Sequence, residues 1–308
     1  MMNKQIGFMF TGQGSEFVGM GIDFYQTYPT FKDRIDEASK LLGLDIYQAL
    51  QDESFDIHNT RYSQVFIFAF EAGVTDVLRE KGVSSNVTMG LSLGEYTAMY
   101  DAGVFDYKTG VELLIQRGDL MAKASTDFDS AMCAVIGMDA EDIERLISSI
   151  PDVFIANYNS PKQIVISGLK SQVEKASEVL KNNGAKRAIM LSTSGAFHTK
   201  FMASAQQGFE SFIENYILNG PTKDLYVNTT GTLLNINPKQ ELVNQITSSV
   251  YFYQMVNNAR ESVDLFIEIG PKKTLASFVK KMDRMIETEC ITSVQTMEEV
   301  IEKLEAIE

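Results

Sequence analysis

Ser92 lies at the centre of a Gly-x-Ser-x-Gly pattern, between Gly90 and Gly94. A short apolar run precedes the pattern and a helix-like segment follows it, which is typical of the sharp strand–turn–helix elbow that exposes a nucleophilic serine. Glycines relieve the crowding of such a turn because they carry no side chain. The pattern therefore predicts Ser92 as a nucleophile, and a purely structural turn is the alternative.

A base must accompany this serine, because a hydroxyl is a poor nucleophile until its proton is removed. The chain contains only two histidines. His198 follows the predicted return from a small domain to the main body, and clefts between domains are where sites tend to form. We therefore predict His198 as the base. His58 precedes a helix in a polar loop, where we expect a loop residue or a helix cap.

A serine nucleophile also needs hydrogen-bond donors for the developing oxyanion. The backbone N–H of Leu93 is one candidate because this residue follows the nucleophile. The loop Gly12–Gly14 is a candidate for the second donor, since its glycines allow close backbone approach. Arg117 lies in an apolar helical stretch and could hold a carboxylate in a two-pronged fork. From the pattern alone, a surface-directed arginine is the favoured interpretation.

Composition limits the classes of function. The chain has 308 residues, 44% of them hydrophobic, and a net charge of −14, which argues against a broad nucleic-acid surface. The sequence contains no apolar run of the length typical of a membrane span or of a signal peptide, so we expect neither. Cys133 and Cys290 lie in apolar runs, so we expect buried free thiols and a cytoplasmic location. The dispersed histidines and cysteines predict no metal site.

Strand-like and helix-like segments alternate along the chain, which predicts an α/β fold. Residues 131–191 show the order β-α-β-β-α-β, the ferredoxin-like arrangement, with a turn expected at residues 157–162. Near the end of the chain, Thr296-x-x-Glu299 predicts a capping box that opens the last helix. The strands expected in the main body are Gln5–Phe10, Val87–Met89, Leu225–Val227 and Leu265–Ile269.

Over nearly its whole length the chain resembles the malonyl-CoA:acyl carrier protein transacylases of bacterial fatty acid synthesis, a family shared with the acyltransferase domains of polyketide synthases. The motifs that carry the resemblance are Phe10–Ser15, Thr60-x-x-x-Gln64, Gly90–Tyr96, Gln116–Met121, Asn157–Gly168, Gly195–His198 and Glu268–Pro271. The resemblance implies an α/β-hydrolase-like large domain, residues 1–124 and 198–308, that carries an inserted ferredoxin-like small domain, residues 125–197.

The resemblance also implies roles for individual residues. These are nucleophile for Ser92, base for His198, oxyanion donors for the N–H groups of Gln13 and Leu93, carboxylate binding for Arg117 with Gln64 beside it, exclusion of an α-methyl group by Phe197, and orientation of the histidine by the carbonyl of Tyr251. Three positions depart from the family pattern: Leu91 replaces a frequent histidine, and Thr11 and Val65 replace prolines.

The implied activity is transfer of malonyl from malonyl-CoA to the phosphopantetheine thiol of acyl carrier protein, in fatty acid biosynthesis. We expect a cytoplasmic monomer with no cofactor besides its substrate. A basic cluster from Lys272 to Arg284 is a candidate carrier-docking patch, and a solvated helix face is the alternative. Three other functions stay open: an acyltransferase that acts in trans on a polyketide synthase, a serine acyl hydrolase, and a non-catalytic carrier-binding module.

Overall fold

The computed structural model describes residues 4–193 and 195–306, which form nine strands, thirteen α-helices and one 3₁₀ helix. The strands are β1 (Ile6–Phe10), β2 (Val87–Gly90), β3 (Ser130–Ile136), β4 (Val153–Ser160), β5 (Gln163–Leu169), β6 (Arg187–Met190), β7 (Asp224–Leu225), β8 (Leu265–Ile269) and β9 (Thr288–Ile291). The helices are α1 (Ile22–Thr27), α2 (Pro29–Leu42), α3 (Ile46–Ala49), α4 (Thr60–Glu80), α5 (Gly94–Asp101), α6 (Tyr107–Ala124), α7 (Ala140–Ile147), α8 (Lys170–Asn182), the 3₁₀ helix Lys200–Met202, α9 (Ala203–Ile213), α10 (Pro238–Gln245), α11 (Phe252–Ala259), α12 (Leu275–Met282) and α13 (Val294–Glu305).

A five-stranded parallel sheet forms the centre of the larger body, in the order β7-β2-β1-β8-β9. The middle strand β1 is apolar and almost wholly buried, as expected for a strand covered on both faces. Because the strands are parallel, their carboxyl ends meet at one edge of the sheet. The loops that follow β1, β2 and β7 therefore emerge side by side, and they carry the candidate site.

Helix α4 is a long and deeply buried helix of this body, since every residue from Ser63 to Leu78 is buried. A helix that is buried all round must be covered on every side. It packs against α2 and α6, and a cluster of aromatic rings fills the space nearby. Phe24, Phe31 and Phe70 have ring centroids 5.2–5.7 Å apart. This core fixes α4 and α6, which supply side chains to the site.

A separate four-stranded antiparallel sheet has the order β4-β5-β3-β6 and an apolar core of its own with α7 and α8. The turn predicted at residues 157–162 is wrong in extent, because β4 continues through Ser160. Two register shifts accommodate the polar residues within the strand. The backbone of this segment also bonds outside its own sheet: Tyr158 N–H donates to Val250 O and Val250 N–H to Ala156 O, each at 2.8 Å.

Three smaller expectations concern the cysteines, the membrane and the last helix. Cys133 is buried and Cys290 is partly buried, and both are free. In the described ranges no helix combines the length and apolar character needed to cross a membrane.

A capping box does open α13, but it is formed by Ser293 and Thr296, three residues before the predicted start. The hydroxyl of Thr296 satisfies the N-cap N–H, the task usually given to Glu or Gln.

Candidate active site

The nucleophile elbow lies between β2 and α5. Ser92 has φ of 53°, in the left-handed region that a residue with a side chain rarely adopts. A Cβ on Gly90 would lie 2.0 Å from the carbonyl carbon of Gly94, and one on Gly94 would lie 2.2 Å from the carbonyl oxygen of Phe10. Only glycine fits at either position, so the two glycines of the sequence pattern are required by contact between backbones.

Asn228 holds this elbow from the side. Its Oδ1 accepts the backbone N–H of Ser92 at 2.6 Å, and its Nδ2 donates to the carbonyl of Gly90 at 2.7 Å. The side chain is completely buried. A left-handed serine costs about 1–3 kcal/mol and persists only where its surroundings over-determine it. The two bonds from Asn228 supply that constraint.

His198 lies against the serine of the elbow, with Nε2 2.7 Å from Ser92 Oγ. Its Nδ1 is 3.0 Å from the carbonyl oxygen of Gln245. A carbonyl only accepts, so Nδ1 carries the proton and Nε2 is left to accept the serine proton. Burial, together with the nearby charge of Arg117, lowers the pKa of His198 to about 4. The imidazole is therefore neutral at pH 7, as a general base must be.

The prediction that the carbonyl of Tyr251 orients the histidine is wrong. That carbonyl accepts the N–H of Met255 in the first turn of α11. The Tyr251 ring stacks on Tyr158, with centroids 4.8 Å apart. Gln245 supplies the carbonyl instead, because it is the last residue of α10 and the final carbonyls of a helix have no partner within it.

Arg117 projects from α6 into the same site and is 1% exposed. Nη1 donates to Gln64 Oε1 at 2.7 Å, and Nη2 lies 3.0 Å from Gln245 Oε1 and 3.4 Å from Ser92 Oγ. The pattern-based interpretation of a surface arginine is therefore wrong. Burial lowers the pKa of Arg117, yet a guanidinium remains charged in proteins. In the described part of the chain its hydrogen-bond partners include no carboxylate, so the site holds a buried cation with only neutral partners.

The two predicted oxyanion donors lie on adjacent loops. The Gly12–Gly14 loop packs on the elbow so closely that a Cβ on Gly12 would lie 2.7 Å from Leu91 O. Within residues 4–193 and 195–306, the backbone N–H groups of Gln13 and Leu93 have no hydrogen-bond acceptor. Both are available to a substrate oxygen.

Polar contacts tether the Gly12–Gly14 loop. The buried Glu16 carboxylate accepts the Gly14 N–H at 2.7 Å and lies 2.7 Å from Nδ1 of the exposed His58. Lys272 Nζ donates to the carbonyls of Gly14 and Glu16, at 3.3 and 3.0 Å. His58 is thus a loop residue, as expected, but one that is paired with an acid. Lys272, predicted as part of a docking patch, stabilises this loop.

Phe197 is buried in the main core directly before His198. Gln64, on α4, is completely buried and joins Arg117 as the resemblance implied. A cleft of about 420 Å³ opens at the start of α4, and none of Ser92, His198, Arg117, Gln64 and Phe197 lines it. It is lined by Asp56, His58, Asn59, Thr60, Ala122, Ser192 and Thr193.

Sequence reasoning missed Asn228 and the Gln245 side chain. The Gln245 amide accepts from Arg117 and donates to the carbonyl of Ser92 at 2.8 Å and to Glu95 Oε2 at 2.9 Å. Asn228 follows a predicted strand next to the elbow strand, and polar residues at such strand ends are binding-site candidates. That position was the available signal for Asn228. Nothing local in the sequence marks Gln245.

A serine on a strained elbow, bonded to a neutral histidine and flanked by a buried arginine, defines a serine-nucleophile protein of the α/β class. Residues 7–303 match the acyl transferase domain family, and the chain belongs to that family. It is 34% identical to the malonyl CoA-acyl carrier protein transacylase of Bacillus subtilis strain 168, over 98% of each chain.

Solved structures agree with this assignment. The malonyl CoA-acyl carrier protein transacylase from Clostridium perfringens superposes with a TM-score of 0.94 at 32% identity, covering 98% of both chains. A malonyl-transacylase solved in complex with its type II polyketide synthase acyl carrier protein superposes with a TM-score of 0.93 at 29% identity, covering 97% of this chain and 99% of that one.

Proposed function

We propose that this protein transfers malonyl from malonyl-CoA to the phosphopantetheine thiol of an acyl carrier protein, through a malonyl ester on Ser92, in fatty acid biosynthesis. The names of its curated relatives support the reaction. The observation that carries the proposal is the Arg117 guanidinium, a buried cation 3.4 Å from the nucleophile whose recorded hydrogen-bond partners are amide and hydroxyl oxygens. A carboxylate at the far end of the acyl group is the partner this cation lacks.

The first half-reaction loads the serine. His198 Nε2 takes the proton as Ser92 Oγ attacks the thioester carbonyl. The N–H groups of Gln13 and Leu93 stabilise the resulting oxyanion, and each such donor contributes about 3 kcal/mol. The C–S bond then breaks, the imidazolium returns the proton to the CoA sulfur, and a malonyl ester remains on the serine.

The second half-reaction reverses these roles. The phosphopantetheine thiol gives its proton to His198 Nε2 and attacks the ester carbonyl. The C–O bond to Ser92 breaks, and the imidazolium protonates the departing serine oxygen. No cofactor is needed, because the histidine handles every proton and the backbone donors hold every oxyanion.

Acyl selectivity is assigned to Arg117, with Gln64 holding one arm of the guanidinium. A site that pairs with a charged group rejects analogues lacking it, because the buried charge is then left without its partner. Phe197 is proposed to crowd an α-methyl group, an effect of about 1–3 kcal/mol for one carbon. This second assignment rests on the resemblance and on the position of Phe197 next to His198.

We also propose a division into two domains, a monomeric state and a cytoplasmic location. The order β-α-β-β-α-β from β3 to β6 and the strand order β4-β5-β3-β6 support a ferredoxin-like small domain, residues 125–197, inserted into an α/β-hydrolase-like domain of residues 1–124 and 198–308. The monomeric state rests on the resemblance, and the cytoplasmic location on the unpaired cysteines.

Intact-mass measurement tests the function directly. Wild type and Ser92→Ala are mixed with malonyl-CoA, and holo acyl carrier protein from a fatty acid or a polyketide system is then added. A malonyl adduct on wild type only, discharged onto the fatty acid carrier, is the expected result. Discharge only onto the polyketide carrier would move the protein to that pathway. An adduct lost to water regardless of carrier would identify a hydrolase, and no adduct with any acyl-CoA would indicate a binding module.

A further inference from the structure

Two carboxyl groups that the proposed reaction does not use lie behind the nucleophile. Glu95, in the first turn of α5, and Glu241, on α10, are both 0% exposed. Glu95 Oε2 accepts the backbone N–H of Asn228 at 3.1 Å and the Gln245 Nε2 at 2.9 Å. Glu241 accepts from Thr229, through the backbone N–H at 3.1 Å and the hydroxyl at 2.6 Å.

Two separate sets of contacts place the two carboxyl groups next to each other. The consecutive N–H groups of Asn228 and Thr229 donate to one acid each. Glu241 and Gln245 are four residues apart on one helix, so their side chains share a face, and Gln245 is bonded to Glu95. The Glu241 carboxyl is accordingly a close neighbour of the Glu95 carboxyl.

One oxygen of this pair has no donor. Glu95 Oε1 is buried and has no hydrogen-bond partner within residues 4–193 and 195–306. Two ionised carboxylates cannot bond to each other, because both only accept. A proton on Glu95 Oε1 removes the conflict, since Oε1–H then donates to Glu241 while Oε2 keeps its two donors.

We propose that Glu95 is a protonated acid that donates from Oε1 to Glu241, and that its neutrality leaves the charge of Arg117 available to the carboxylate of the acyl substrate. Glu95 is a positioning residue, since it acts through Gln245 and Asn228. The inference rests on the proposed function, because it concerns selectivity for a carboxylated acyl group.

The charges around the pair agree with this protonation. Burial raises the pKa of Glu95 well above its ordinary value, and the adjacent Glu241 raises it further. Arg117 and Tyr96 are the other titratable groups close to Glu95, and His198 is linked to it through the Gln245 carbonyl. The Gln245 amide lies directly between Glu95 and Arg117. An ionised Glu95 would therefore oppose an incoming carboxylate at short range.

The test compares wild type with Glu95→Gln from pH 6 to 9.5. Glutamine has the shape of the protonated acid and donates to Glu241 without titrating. Loading of Ser92 from malonyl-CoA and from acetyl-CoA is followed by mass, and the melting temperature is recorded at each pH. At pH 7 the two proteins should share the same malonyl-to-acetyl ratio. Above the pKa of Glu95 the wild-type ratio should fall by up to about tenfold per pH unit, while that of Glu95→Gln stays constant.

The melting temperatures give a second readout. A carboxyl whose pKa is raised by folding binds more protons in the native than in the unfolded state, so its contribution to stability is lost as pH rises. The melting temperature of Glu95→Gln relative to wild type should therefore increase with pH. Glu71→Gln is the matched control: this other buried acid has a pKa raised by burial to about 8 and bonds to Thr11 and Thr97. It should show the stability effect without the change in ratio.

Contrary results are distinct. A ratio already higher in Glu95→Gln at pH 7, with a melting difference that is flat in pH, would mean that Glu95 is ionised and would overturn the inference. Failure of every protein to form a malonyl ester would instead overturn the proposed function. If Glu95→Gln does not fold, infrared titration of Glu71→Gln decides the question, because this variant lacks the other protonated acid and keeps Glu95. A buried protonated-carboxyl band that persists in it at neutral pH is expected, and its absence refutes the assignment.

Discussion

Replacing Asn228 by alanine removes both hydrogen bonds that its side chain makes to the nucleophile elbow. The Ser92 N–H and the Gly90 carbonyl are then left without their partner. A buried polar group without a partner costs about 1–3 kcal/mol, so the folded protein should lose about 2–6 kcal/mol, less wherever water enters the space. The strained φ of Ser92 is also free to relax.

The catalytic loss follows from the same geometry. Asn228 bonds to backbone behind the serine, so substrate affinity should change little while the loading rate falls. If about 1.4–2.8 kcal/mol of the loss applies to the attacking conformation, the saturated rate of loading falls about tenfold to a hundredfold. Rapid-quench mass spectrometry of the malonyl ester at saturating malonyl-CoA measures this rate, and thermal unfolding measures stability.

Asn258→Ala is the control, because Asn258 bonds one carbonyl, that of Gly231, away from the elbow. It should lose stability and keep the loading rate. Equal loading by Asn228→Ala and wild type would refute the argument that Asn228 holds the nucleophile. So would a rise in KM with an unchanged saturated rate.

Three further outcomes are expected. As pH is lowered, the loading rate should stay constant past pH 6 and fall only near pH 4, the pKa of His198. A decline centred on pH 6.5 would contradict this expectation. Arg117→Gln should lose the preference for malonyl over acetyl. The fall of its loading rate at low pH should begin at a higher pH than in wild type, because removing a neighbouring positive charge raises the pKa of His198. Both outcomes are measured from the rate of ester formation against pH. Lys272→Ala should slow loading from malonyl-CoA, a step without carrier protein, because it releases the loop of Gln13; slowing of the carrier step alone would restore Lys272 to a docking role.

The sequence was most informative where one backbone contact demands one residue type. Gly90 and Gly94 could be assigned to an elbow because nothing larger fits there. Arg117 could not be assigned in this way, because the sequence pattern of α6 does not show which elements cover each face of the helix. Only the resemblance indicated that this arginine belongs to the site. The Tyr251 error has a similar cause, since the orienting contact is a backbone carbonyl, which carries no signature of residue type.

Strand β4 illustrates a further limit. The segment Asn-Tyr-Asn-Ser-Pro-Lys at its end has the composition of a turn, yet Tyr158 N–H donates to Val250 O and the Val250 N–H donates to Ala156 O. Tertiary pairing overrides local preference there. No local pattern could reveal it, because the partner lies about ninety residues away in the chain.

That pairing joins the antiparallel sheet mechanically to His198, the proposed base. Val250 bonds on both sides to β4 and lies five residues after Gln245, whose carbonyl orients His198. Ser249 adds a third link, donating its hydroxyl to Ile155 O at 2.6 Å. Tilting the antiparallel sheet against the parallel one would therefore pull on the segment that fixes the imidazole. The placement of the antiparallel sheet and the orientation of the imidazole are therefore coupled through one short segment of the chain, residues 245–250.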